Sequence, residues 1–296
     1  MRLILFGAGA SHGSDTHGTP PLGPNLFTAL VQWSPATWGA LAAPWPSRFQ
    51  TDFEDAMAKL IAAGIFAAPL QWSMASYFFK CFTASDSNVY IRLLRDILAS
   101  EKDVNLATLN YELLLVQAAQ RVGMRLNCGS SKRSGSELPL CLPHGSSMLK
   151  CVGITATGSI SFSGGISTGG TVSTMSNVQE FDQERNTNVF PPVMSYFEPN
   201  KFTVSCANFI DANRRRFAQL ATDASRLAIV GVNVHPIDRH IWDPISKTSA
   251  TCFYLGGSAG GQKYSTWCSQ VGRNSDTVCD RFFADGYDDL LSFLTG

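Results

Sequence analysis

Short apolar runs closed by glycine or a polar residue recur along this chain, separated by stretches with helical spacing. Residues 2–6 (RLILF) read as a buried parallel strand ended by Gly7. Residues 104–108 predict a second strand and 124–127 a short third. Residues 226–230 (RLAIV) predict a strand closed by Gly231, and 251–255 (TCFYL) one closed by Gly256 and Gly257. Apolar positions at helical spacing predict helices starting near Asn25 and over 71–81, 88–100, 111–121, 207–222 and 285–294. Asp52, Glu54 and Asp55 open another, where the helix dipole favours acidic residues. Residues 235–245 read as a helix with Pro236 in its first turn. Residues 13–24 read as a loop and 33–47 as irregular chain. The Gly/Ser/Thr-rich stretch 153–177 reads as an irregular hairpin or a surface loop, and 194–200 as extended.

Strands alternating with helices predict an α/β fold: a doubly wound, mainly parallel, Rossmann-like sheet with helical and Gly/Ser-rich insertions. One domain is expected over 1–296, with a helical insertion at about 33–100 and a Gly/Ser/Thr-rich one at about 150–200. In such a sheet ligands bind outside the carboxyl ends of the strands. The informative residues are therefore those just after strands: 7–11, Asn110, His144 and Gly145, 231–233, and Gly256 and Gly257.

With 296 residues, 45% hydrophobic, the chain can bury a sizeable core. Lys+Arg and Asp+Glu both number 23, so no overall charge favours nucleic acid or an anionic membrane. The run Arg214, Arg215, Arg216 is either a local basic patch or, as short runs on a helix more often are, a solvated helix face. No stretch approaches the roughly 20 apolar residues of a membrane span, and a cytoplasmic protein is expected. Its eight cysteines then count as reduced thiols, and without a C-x-x-C pair a cysteine zinc cage has no support.

Gly7 and Gly9 allow a close backbone approach. Its partner is either a phosphate-bearing ligand at a helix N-terminus or nothing beyond a tight turn. The dinucleotide fingerprint is incomplete: Gly7, Gly9 and Gly13 lead into a loop, not into a helix and an acid-tipped strand. Hydride transfer is poorly supported. Asn110 by default is a helix N-cap, worth about 1 kcal/mol. His144 is the best-placed general base of the five histidines, or else a satisfied structural one. His12 and His17 lack a third ligand for a metal, and His235 and His240 read as polar surface or packing residues.

GAGAS, PPLG, TLNYE, LPHGS and IVGVNVHPIDRHI follow one another from Leu3 onward. In this order they resemble the sirtuin superfamily, and more specifically the sirtuin-like NADase branch common in bacterial defence systems. The resemblance runs to about Phe293. It implies that Gly7, Ala8, Gly9, Ala10 and Ser11 cradle the pyrophosphate of NAD. It implies that Asn110 lies by the nicotinamide ribose and that His144, followed by the NAD contact Gly145, is the general base. Gly231, Val232 and Asn233 would contact the adenosine half, with Gly256, Gly257 and Tyr287 walling the adenine.

Departures from the family pattern narrow the activity. The two C-x-x-C zinc pairs and the F-G-E-x-L-P stretch of protein-deacetylating sirtuins are missing, G-I-P-D-F-R is replaced by residues 14–23, and Glu112 stands where many relatives have aspartate. The expected activity is NAD+ hydrolysis to nicotinamide and ADP-ribose, with NAD as substrate and no metal. A triggered NAD-depleting role in anti-phage defence goes with it, as does a homo-oligomer or an activating partner protein. No membrane or direct nucleic-acid partner is expected. The alternatives are a non-catalytic NAD or nucleotide sensor, and an NAD-dependent protein deacylase or ADP-ribosyltransferase.

Overall fold

The computed structural model describes residues 1–63, 67–100, 102–129, 134–153, 170–188, 190–195 and 206–296. The first part of the chain runs β1 (Arg2–Phe6), α1 (Ala8–Ser11), α2 (Gly23–Trp33), α3 (Trp45–Thr51), α4 (Phe53–Ala62), α5 (Ala68–Lys80), α6 (Val89–Ala99) and β2 (Val104–Thr108). The middle comprises α7 (Leu114–Arg121), β3 (Arg125–Asn127), β4 (Glu137–Cys141), β5 (Leu149–Val152), β6 (Thr171–Thr174) and α8 (Val178–Thr187). The last part is α9 (Ala207–Asp223), β7 (Arg226–Val230), α10 (Arg239–Lys247), β8 (Thr251–Leu255), α11 (Gly257–Val271), β9 (Thr277–Cys279) and α12 (Tyr287–Thr295).

Seven strands form one sheet in the order β3-β4-β2-β1-β7-β8-β9, with every pair parallel. β1 is central, with β2 on one side and β7 on the other in unbroken register (Phe6 opposite Thr108 and Val230). The chain winds outward in opposite directions from β1. That leaves a crevice at the carboxyl ends where the two halves diverge.

Side chains alternate across the sheet with period two. Ile4, Phe6, Leu106, Val230 and Leu255 join a core with α2–α7 and α12. Leu3, Leu5, Ile229 and Tyr254 join a second core with Phe217 of α9, Ile241 of α10 and Tyr264 of α11. Both faces are covered, as a parallel sheet requires. The α/β, Rossmann-like architecture expected from the sequence is the one found.

Local differences have local causes. The helix expected over 111–121 begins at Leu114, because Glu112 Oε2 accepts the Leu114 amide at 2.5 Å. The helix expected over 235–245 begins at Arg239; Pro236 lies in the preceding turn and Pro244 inside the helix. α11 escapes the sequence reading because glycines 257, 260 and 261 look like breakers. Of the stretch 153–177, residues 170–177 contribute β6, which pairs antiparallel with β5; residues 154–169 lie outside the described residues, as do 196–200 of the expected extended segment.

Two expectations need correction. Cys151 and Cys206 form a disulfide with Cα atoms 5.9 Å apart, so not all eight cysteines are thiols. A separation of 55 residues gives no signal of this; β5 and the start of α9 bring the two together. The arginine run is not a solvated face. Arg214 donates to Ser195 Oγ at 2.9 Å, and Arg216 to the carbonyls of Cys128 and Leu140, leaving only Arg215 exposed.

Candidate functional site

A cleft of about 570 Å³ opens at the carboxyl ends of β1, β2, β4, β7 and β8. Its lining takes in Gly7, Ala8, Gly9 and Ser11 after β1, Asn110 after β2 and His144 after β4. Gly231, Val232 and Asn233 follow from β7, and Gly256 and Gly257 from β8. Three expected residues do not line it. Ala10 is packed in the core, and Gly145 is buried outside the cleft lining. Tyr287 is buried under α6, its hydroxyl donating to Asp96 Oδ2 at 2.5 Å and its ring under Arg92.

The close approach that Gly7 and Gly9 permit is to the chain itself. A Cβ on Gly7 would stand 2.6 Å from the Gly231 carbonyl oxygen. The Gly7 and Gly9 amides donate to the carbonyls of Val230 and Gly231, both at 2.9 Å. Gly231 has φ +64°, and a Cβ there would meet the Ala10 amide at 2.0 Å. Two strand-end turns thus interlock, and Tyr254 ties the second down through its hydroxyl on the Val232 carbonyl at 2.8 Å.

Asn110 is not a helix cap; α7 starts four residues later. Its Nδ2 donates to the Gly7 carbonyl at 3.0 Å and to Ser11 Oγ at 2.9 Å. Both amide protons are thereby engaged, which leaves Oδ1 as the remaining polar atom of this cleft-lining side chain. Ser11 in turn gives its hydroxyl proton to Glu112 Oε1 at 2.6 Å, so Tyr90, 2.9 Å from Ser11 Oγ, donates to it. Burial pushes the Glu112 carboxyl above its ordinary value, against the hydrogen bonds from Ser11 and Leu114. Asn110 is thus locked by a buried chain that includes residues of β1's turn, α6 and β2's turn.

His144 sits in a turn held from both sides. Gly145 has φ +76°, and a Cβ there would lie 2.0 Å from the Val193 carbonyl oxygen. Ser146 donates to that oxygen at 3.0 Å, and the His144 carbonyl accepts from Ser195 at 2.8 Å. The buried His144 ring points its Nε2 at Nε2 of His240, 2.8 Å away, with Asp238 Oδ1 at 3.5 Å. Two facing imidazole nitrogens at this distance share one proton. The ligand atoms of His144, Asp238 and His240 all lie within 4.8 Å of one another, the one such group among the described residues.

The sequence reading passed over three contributors and took a fourth, His240, for a surface or packing residue. Lys263 of α11 lines the cleft and donates to Asn233 Oδ1 at 3.3 Å. The N-terminus of α11, a 15-residue helix, faces the cleft through Ser258 and Ala259. Asp238 and His240 join His144. Only the motif VHPIDRH could have flagged the last two; nothing local marks the others.

No protein-family model matches the chain, and no curated protein does. Solved structures do. A Sir2 homologue in complex with NAD matches with TM-score 0.52 at 11% identity, over 99% of this chain and 89% of that one. A mutant Sir2 homologue in complex with ADP-ribose matches with TM-score 0.46 at 12% identity, over 99% and 91%. A structure concerned with sirtuin substrate affinity matches with TM-score 0.41 at 15% identity, over 86% and 82%. The first of these, spanning nearly the whole of both chains, shows that this protein has the Rossmann-like α/β fold of a Sir2 homologue.

Proposed function

We propose that the protein is an NAD+ hydrolase that cleaves the nicotinamide–ribose bond, with residues 1–296 acting as one catalytic domain. The observation that carries this reading is that Asn110 and His144, 34 positions apart and on different strand ends, line one cleft with the glycine turn of β1. The Sir2 homologue of the same fold was solved as an NAD complex, which supports NAD as the ligand.

The chemistry follows from the bond broken. As the C1′–N bond lengthens, its electron pair moves onto the nicotinamide ring, which leaves neutral. The ribose gains oxocarbenium character, and water adds at C1′ with loss of one proton. Asn110 Oδ1, an acceptor, orients a ribose hydroxyl or that water. His144 takes the proton, a contribution of typically 10²–10⁴-fold. The Asn110 amide cannot swing away, since both its protons are held.

Binding is divided between the two halves of the sheet. The diphosphate rests between the turn of residues 7–11 and the N-terminus of α11, where helix dipole and Lys263 favour negative charge. Gly231, Val232, Asn233 and Gly256 carry the adenosine half. Such remote contacts position the sugar for reaction.

The test is to incubate purified protein with NAD and measure nicotinamide and ADP-ribose. Equal amounts are expected without any added peptide. His144→Ala should lose the activity at unchanged thermal stability. Binding without turnover would make the protein a sensor, and release only with an acylated peptide would make it a deacylase. The role that accompanies the reading is NAD depletion in anti-phage defence, triggered by assembly or by a partner protein. Cellular NAD measured during infection, with wild type against His144→Ala, tests it.

A further inference from the structure

We propose that His144, Asp238 and His240 form a site for a divalent transition-metal ion, zinc by its ligand chemistry, at the edge of the cleft. The turn after β4 supplies His144, and the residues opening α10 supply Asp238 and His240. His144 Nε2 lies 2.8 Å from His240 Nε2 and 3.5 Å from Asp238 Oδ1. Ligand atoms around a tetrahedral zinc, at about 2.0–2.1 Å from the metal, stand roughly 3.3 Å apart. The two separations from His144 Nε2, 2.8 and 3.5 Å, bracket that spacing, all three ligand atoms lie within 4.8 Å of one another, and an opening of the imidazole pair admits the ion.

Two imidazoles and one carboxylate select the class of metal. Magnesium and calcium prefer all-oxygen sites, whereas nitrogen ligands with one oxygen suit zinc. The carboxylate supplies a negative charge that would offset part of the charge of a divalent ion. His144 and Asp238 line the cleft, so the ion has an entry path and its fourth position faces a water or substrate oxygen. This arrangement shares nothing with a cysteine zinc cage.

Occupancy has a consequence that rests on the hydrolase reading. A metal on His144 Nε2 takes the lone pair of that atom, which then cannot accept a proton. Zinc loading and base catalysis therefore exclude each other, and zinc holds the enzyme silent.

The test uses the full chain, stripped with a chelator and dialysed. Zinc titrated against a chromophoric chelator should bind at one site. His240→Gln and Asp238→Asn should each weaken it at least ten-fold while thermal unfolding stays that of the wild type. Cobalt in place of zinc should show a tetrahedral visible spectrum without a thiolate charge-transfer band. Absence of binding, unchanged affinity in both variants, or a thiolate band would overturn the site. Nicotinamide release should fall with zinc and return with chelator. If the protein has no turnover at all, the hydrolase reading fails while the binding and cobalt results still decide the metal site.

Discussion

Asn110 donates from Nδ2 to the carbonyl of Gly7 at 3.0 Å, joining the end of β2 to the turn after β1. The bond holds the amide of this cleft-lining side chain in place. Asn110→Asp removes both donors and places a charge beside the buried Glu112. Nicotinamide release is expected to disappear, and stability to drop by about 1–3 kcal/mol. Urea unfolding alongside the NAD assay checks both. Full activity in this variant would remove Asn110 from the mechanism.

Gly231 is the keystone of the two interlocked turns. Alanine there meets the Ala10 amide and must adopt φ +64°. Overpacking and a left-handed backbone together should cost about 2–5 kcal/mol. The midpoint of urea unfolding measures it, and a midpoint equal to the wild type would refute the close packing.

Asp15 anchors the loop whose Pro20 and Pro21 wall the cleft. Burial pushes its carboxyl up, but hydrogen bonds from the Ser85 hydroxyl and amide, Asn88 and the His17 amide prevail and hold it well below the usual carboxylate range. A folded value below the unfolded one contributes stability above about pH 4, lost as the pH falls further. Asp15→Asn should therefore cost about 1–3 kcal/mol at pH 7 and progressively less below pH 4. Thermal melts from pH 3 to 7 follow the gap, and a gap independent of pH would contradict the assignment.

The Cys151–Cys206 bond closes a loop with a sequence separation of 55 residues. Replacing both cysteines by alanine should lower stability by about 2–4 kcal/mol. Wild type melted with reductant should behave like the double variant, and indifference to reductant would argue that the bond does not form in solution.

The strand frame was legible in the chain itself. Residues 2–6, 104–108, 226–230 and 251–255 are found as strands at those bounds, since a short apolar run ended by glycine or a polar residue has few other uses in an α/β protein. The positions after those strands were legible too, because a parallel sheet puts every strand's carboxyl end at one edge. What each residue does there was not. Asn110 had the local look of a cap, and only the tertiary fold shows its amide held by Gly7 and Ser11. Gly7 and Gly9 looked like a ligand's approach, yet their nearest partner is Gly231, more than 200 residues on. The meeting of His144 with His240 and the pairing of Cys151 with Cys206 are likewise tertiary events. Periodicity reports which face a side chain buries; hydrogen bonds and ligand sets depend on distances that exist only once the sheet has been wound.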